Sequence, residues 1–208
     1  MNSKSSDQPL QAHSQASTKA RESPDSAVSK ENPWKILSAD TRYENPWIKV
    51  IHHDVTDVAG NPGIYGTVHF KNTAIGIIPL DKELNTWLVG QYRFPLRGYS
   101  WEIPEGGGES TATTLDSAKR ELREETGITA RRWEKILDMH LSNSVSDEKA
   151  VIYLAQDLEF GEAEPEDCEE LVIRKLPFTE ALRMALAGEI TDAMAVAGLL
   201  AAARIIGK

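Results

Sequence analysis

Three carboxylates, Glu121, Glu124 and Glu125, stand close together in the run Arg120-Glu121-Leu122-Arg123-Glu124-Glu125-Thr126-Gly127-Ile128. On a helix turning about 100° per residue, Leu115, Ala118 and Leu122 share one apolar stripe, and Glu121 and Glu125 stack beside it. Glu124 extends the acidic arc away from that stripe. Like charges at this spacing repel by roughly a few tenths of a kcal/mol per pair, and by more where they are partly buried. A divalent cation removes the penalty, and a ligand set made only of oxygen points to Mg²⁺ or Mn²⁺. Magnesium keeps waters and shares its shell with substrate phosphates, so the spacing predicts phosphate chemistry. A solvated, salt-bridged helix face is the competing origin of such a run. Two features set this one apart: the glycine-rich turn Glu105-Gly106-Gly107-Gly108 before it, and Gly127, suited to a left-handed C-cap, after it.

The elements that must position these acids follow from periodicity and turn chemistry. Trp47 to Ile51 and Ile64 to Val68 are rich in β-branched and aromatic residues. They flank the turn-forming stretch Ala59-Gly60-Asn61-Pro62-Gly63, which predicts a hairpin. Apolar strand candidates follow at Thr73 to Leu80, Thr86 to Tyr92 and Tyr99 to Ile103, and the acidic helix spans about Thr113 to Thr126. Further strands are expected at Trp133 to Leu141, Ala150 to Leu158 and Leu171 to Leu176. Two helices, Thr179 to Ala187 and Thr191 to Ile206, end the pattern, with Thr179 and Thr191 as expected N-caps. Strands with interspersed helices and no regular βαβ alternation predict a mixed α/β sandwich.

Residues 1–32 are polar and nearly lack large apolar side chains, which predicts a disordered tail. The 33–70 region, with its hairpin, has too little apolar surface to stand alone and is expected to pack on the 71–208 domain. The chain of 208 residues is 40% hydrophobic and 26% charged, enough for one well-packed core. Its net charge of −9 disfavours extended nucleic-acid binding. Cys168 is the single cysteine, so no intrachain disulfide forms and a reducing, cytoplasmic location is expected. The first residues lack the apolar core of a signal peptide. The apolar stretch Ala193 to Ile206 is short for a membrane span and carries Arg204, so no membrane association is expected.

From Gly106 to Ile128 the spacing resembles the Nudix box, Gly-x5-Glu-x7-Arg-Glu-U-x-Glu-Glu-x-Gly-U with U aliphatic; the departure is Ala112, where the box has Glu. The segments Gln91-Tyr92-Arg93, Gly98 to Pro104, Ser146-Asp147-Glu148 and Gly188 to Ala193 are similar to the ADP-ribose pyrophosphatase branch of that family, so that the likeness runs from about Trp47 to Ala203. The resemblance implies an αβα sandwich with an N-terminal antiparallel β hairpin or sheet, and metal-assisted hydrolysis of a nucleoside diphosphate derivative. ADP-ribose, cut to AMP and ribose 5-phosphate, is the leading substrate; GDP-mannose, a dinucleoside polyphosphate, or a ligand-sensing module without turnover remain alternatives.

By the same resemblance Glu121, Glu124 and Glu125 are metal ligands or their immediate neighbours, joined by the backbone carbonyl of Glu105, and Arg120 orients the acidic cluster. Glu109 stands too early to replace the glutamate absent at Ala112. Glu148 is the candidate general base, with Asp147 its nearest competitor, so Glu148, Arg120 and Glu121 form the expected catalytic set. Arg93, and more weakly Arg97, would pair with the diphosphate. Trp47 and Tyr65 either offer aromatic faces to the base, often across a homodimer in this branch, or pack a core or dimer contact.

Overall fold

The computed structural model describes residues 31–108, 111–164 and 170–208. The expectations for the tail up to residue 30, for Glu109 and for Cys168 lie outside the described residues. The chain divides into Met1–Pro33 and Trp34–Lys208, and every element below belongs to the second unit.

Three antiparallel strands come first: β1 (Lys35–Glu44), β2 (Ile48–Thr56) and β3 (Pro62–Phe70), in the order β1-β2-β3. The β2–β3 hairpin turns at the glycine-rich stretch, where Asp57 caps the loop by accepting from the Ala59 and Asn61 amides. Strand β1 was not expected. Its ten residues are all exposed, so it carries no apolar alternation to mark it as a strand.

The remaining strands form two sheets. β4 (Thr73–Pro79), β7 (Glu105–Gly108), β8 (Ile128–His140) and β9 (Lys149–Phe160) make a mixed sheet in the order β7-β4-β9-β8, with β4 and β9 parallel. β5 (Asn85–Arg93), β6 (Gly98–Glu102) and β10 (Val172–Pro177) make an antiparallel sheet in the order β10-β5-β6. The glycine run read as a turn is therefore strand β7, paired antiparallel with β4 from Thr73–Gly108 to Gly76–Glu105. Glycine is poor in strands for want of a side chain, but here the β4 edge supplies the partner and the bare Gly106 makes room for the Glu121 side chain of helix α1 (Thr114–Thr126).

Side chains of β4 alternate between two cores. Ile75 and Ile77 pack with Ala118 and Leu122 of α1, together with Trp87 and Tyr153. Ile78 packs on the other face against α2 (Phe178–Leu186) and α3 (Ala193–Ile206), through Phe178, Met194 and Leu199. The sheets are thus sandwiched between α1 and the α2–α3 pair, an αβα arrangement. The N-caps of the two C-terminal helices both differ from expectation. Thr179 lies inside α2, which starts after Pro177 without a side-chain cap, and Asp192 rather than Thr191 caps α3 by accepting from the Ala195 amide. An ionised carboxylate is the stronger acceptor for an unsatisfied helix N–H. Among the described residues no helix is long and apolar enough to cross a membrane.

Candidate active site

Helix α1 is bounded at both ends by local chemistry. The Thr113 hydroxyl accepts from the Asp116 amide, and Gly127, at φ 69°, closes the helix by donating to the Arg123 carbonyl. A Cβ at Gly127 would lie 2.5 Å from the Gly161 carbonyl oxygen, so this position tolerates only glycine. Held this way, α1 buries Ala118 and Leu122 completely and also buries Glu121 and Glu125, while Glu124 stays partly exposed.

Arg120 collects two of these acids. Its Nη2 donates to Glu121 Oε1 and its Nη1 to Glu124 Oε2, each at 2.6 Å, and Nη2 also reaches the Gly107 carbonyl at 3.0 Å. Burial opposes the charge on Arg120, but the two carboxylates outweigh it and hold the guanidinium pKa above its ordinary value.

β7 joins the helix to the cavity. The Glu105 amide donates to Glu125 Oε2 at 2.9 Å. At the next residue, a Cβ on Gly106 would push against the Glu121 carboxylate, so the glycine lets the strand lie against this acid without displacing it. The Glu105 side chain accepts from Arg93 Nη2 at 3.2 Å through Oε1, while its buried Oε2 has no hydrogen-bond partner. Burial, then the negative charges of Asp192 and Glu102, push its pKa well above the carboxylate range, with Arg93 opposing.

A cavity of about 490 Å³ opens beside this junction, lined among others by Trp47, Arg93, Glu105, Gly106, Glu148 and Asp192. Arg93 is anchored on Glu102, donating from Nε to both carboxylate oxygens at 3.0 Å and from Nη2 to Oε2 at 2.6 Å. That bonding to Glu102 is the main reason its pKa lies above the ordinary value. Burial, and then the charge on Asp192, raise the pKa of Glu148. Its neighbour Asp147 is already engaged: Oδ2 lies 2.7 Å from His69 Nδ1, and Oδ1 accepts from the Phe70 amide.

The expected residues therefore fall into three groups. Arg93, Glu105, Glu148 and Trp47 share the cavity wall. Glu121, Glu124, Glu125 and Arg120 are not on the wall but are joined to it through Glu105, Gly106 and Gly107. Tyr65 and Arg97 lie apart from it. The Tyr65 hydroxyl donates to the Ser144 carbonyl and its ring meets Trp34 edge-on, while Arg97 is exposed in the β5–β6 turn at φ 50°. Glu102 and Asp192 are the additions. Neither belongs to a spaced motif, though both stood in segments already noted for their family likeness.

Among the described residues, no three His, Cys, Asp or Glu side chains are gathered tightly enough to form a finished metal cage. The donor chemistry nonetheless suits a hard divalent cation. The groups beside the cavity are carboxylates, two of the helix acids are buried, and one buried carboxylate oxygen lacks any partner.

Comparison with known proteins agrees with this geometry. The NUDIX domain family model matches residues 70–195. An ADP-ribose pyrophosphatase of Mycobacterium tuberculosis (strain ATCC 25618 / H37Rv) is 32% identical over 177 residues, covering 82% of this chain and 84% of that protein. An ADP-ribose pyrophosphatase of Bacillus subtilis (strain 168) is 33% identical over 122 residues, 58% of this chain and 66% of that protein. A solved structure described as an ADP compounds hydrolase shares the fold with a TM-score of 0.77 at 20% identity, covering 86% of this chain and 97% of that one. With its box on α1 and strand β7 pressed against the box acids, the chain belongs to the Nudix hydrolase family.

Proposed function

We propose that the protein hydrolyses ADP-ribose to AMP and ribose 5-phosphate with Mg²⁺, or Mn²⁺ in its place. The observation that carries this reading is the junction at Glu105 and Gly106. It brings the buried acids of α1 against a cavity whose wall holds both a firmly charged arginine and a partly buried glutamate. The names of the two pyrophosphatase relatives favour ADP-ribose over GDP-mannose or a dinucleoside polyphosphate.

Glu121, Glu124 and Glu125, with the Glu105 backbone, would hold the cation. Once bound, it would acidify the attacking water and offset the charge of the phosphates. Arg93 commits Nε and Nη2 to Glu102 and Glu105, so Nη1 is the nitrogen it would present to the diphosphate. Glu148 takes the proton of the attacking water. A raised pKa makes its carboxylate a stronger base than an ordinary glutamate, which suits that step. The water oxygen bonds to one phosphorus, the bridging P–O bond breaks, and AMP and ribose 5-phosphate leave. Arg120 keeps Glu121 and Glu124 in register beneath the cavity.

Trp47 lines the cavity with its ring largely exposed and is the candidate platform for the base. The N-terminal sheet leaves Ile36, Leu37, Tyr43 and Ile64 exposed, which supports a homodimer built through that sheet. The single cysteine, Cys168, suits a reducing, cytoplasmic setting. One feature favours a sensing module without turnover: Ala112 deprives the box of an acid.

A substrate panel decides between these readings. Purified protein with Mg²⁺ receives ADP-ribose, GDP-mannose, a dinucleoside tetraphosphate and NADH, and kcat/KM is measured for each. ADP-ribose is expected to lead. A lead for GDP-mannose would replace the substrate, and silence on all four would leave only the sensing module.

A further inference from the structure

We propose that the side chain of Glu105, in addition to its backbone, is a ligand of the cation site and takes over the acidic role that Ala112 cannot fill. The inference rests on the metal-dependent reading above and goes beyond it by assigning a ligand that the box does not contain.

Glu105 touches both halves of the site, one through its main chain and the other through its side chain. Its amide is bonded to Glu125 of the helix, and the adjoining Gly106 lies against the Glu121 carboxylate. Its side chain, nearly enclosed, belongs to the cavity wall with Arg93, Glu148 and Asp192. The start of β7 thus touches the helix acids with its backbone and the cavity with the Glu105 carboxylate.

The hydrogen bonding leaves one oxygen of this carboxylate unused. Arg93 engages Glu105 only through Oε1, at 3.2 Å, and gives its shorter bonds to Glu102. Glu105 Oε2 is buried without a partner, and among the described residues it is the one carboxylate oxygen in that condition. A buried carboxylate oxygen without a hydrogen bond is costly, and neighbouring negative charges increase the cost. A divalent cation relieves both terms at once, and an anionic oxygen is the ligand such a cation prefers.

Ala112 explains why this chain would need the extra acid. At that position the box has a glutamate, and here the side chain is an exposed methyl. Arg120 manages without it by bonding Glu121, Glu124 and the Gly107 carbonyl. A carboxylate at Glu105 would restore the negative charge that Ala112 lacks.

Metal binding without substrate provides the test, since it is independent of turnover. Metal-free full-length protein is titrated with Mn²⁺, and free ion is read by electron paramagnetic resonance. Glu105→Gln keeps the side-chain volume and an oxygen for Arg93 but removes the charge, so Mn²⁺ should bind about tenfold more weakly or worse. Adding Ala112→Glu to that variant should recover much of the affinity. Glu102→Gln, whose oxygens are already occupied by Arg93, should stay within about threefold of the unaltered protein. Unchanged Mn²⁺ affinity in Glu105→Gln, as expected if this carboxyl is simply held protonated, would overturn the assignment, as would a double variant that binds no better than the single one. Both results leave the proposed hydrolysis standing. Absence of Mn²⁺ binding by the unaltered protein would instead remove the metal-dependent reading, and this inference with it.

Discussion

The backbone amide of Glu105 donates to Oε2 of Glu125 across 2.9 Å, so the strand entering the glycine run is fastened directly to a buried acid of the helix it precedes. The bond gives Glu125 a structural duty as well as a chemical one, and the two separate by substitution. Glu125→Gln retains an oxygen for the amide and should keep nearly normal stability while losing turnover by more than about tenfold. Glu125→Ala leaves the amide unsatisfied and should also cost about 1–3 kcal/mol in urea unfolding. Equal stability of the two variants would show that the bond is not needed to hold β7.

Arg93 and Glu102 form the most enclosed ion pair beside the cavity, with the Glu102 side chain 3% exposed and Arg93 36% exposed. Arg93→Met strands a buried carboxylate and should destabilise the protein by about 3 kcal/mol, the low end for such pairs because Arg93 keeps some contact with water. Adding Glu102→Met should recover most of that loss without restoring turnover. Chemical denaturation of the single and double variants measures the coupling.

The pH dependence of turnover should follow Glu148. Burial and the charge of Asp192 raise its pKa, so the base form appears only at higher pH than for an ordinary glutamate, and the acidic limb of the rate profile moves up accordingly. Removing the Asp192 charge favours the Glu148 carboxylate. Asp192→Asn, which can still accept from the Ala195 amide, should therefore shift the acidic limb of kcat/KM toward lower pH. An unmoved limb would separate Glu148 from the titration that governs the rate.

The Glu148 loop is docked on the N-terminal sheet. His69 and Phe70 hold Asp147, and the Val68 amide donates to the Val145 carbonyl. His69→Ala should loosen the loop and lower kcat by about tenfold to a hundredfold, with KM little changed, because a small misplacement of a catalytic group is expensive. Stability should move by less than about 1 kcal/mol, since the pair is half-exposed. A rise in KM with kcat preserved would point to a binding role for this loop instead.

How far the sequence revealed all this depended on whether a residue's role was local. The stripe of Ala118 and Leu122, the stacking of Glu121 with Glu125 and the Gly127 cap are properties of one helix, and all three appear as expected. Strand β1 went unseen because exposure on every residue erases the alternation that marks a strand. The glycine run looked like a turn because its strand character comes from β4, a partner some 30 residues away in the chain and invisible to local propensity. Glu102 and Asp192 escaped notice as site residues for a related reason. Single acids without spacing carry no signal until the fold sets them beside Arg93 and Glu148.

The central claim, cation-dependent cleavage of a diphosphate, is tested most directly by product analysis. ADP-ribose incubated with the protein and Mg²⁺ is resolved by chromatography before and after addition of EDTA. AMP and ribose 5-phosphate should accumulate in equal amounts and stop accumulating once the metal is chelated. Intact ADP-ribose in the presence of Mg²⁺, or equal product formation with EDTA, would contradict the account.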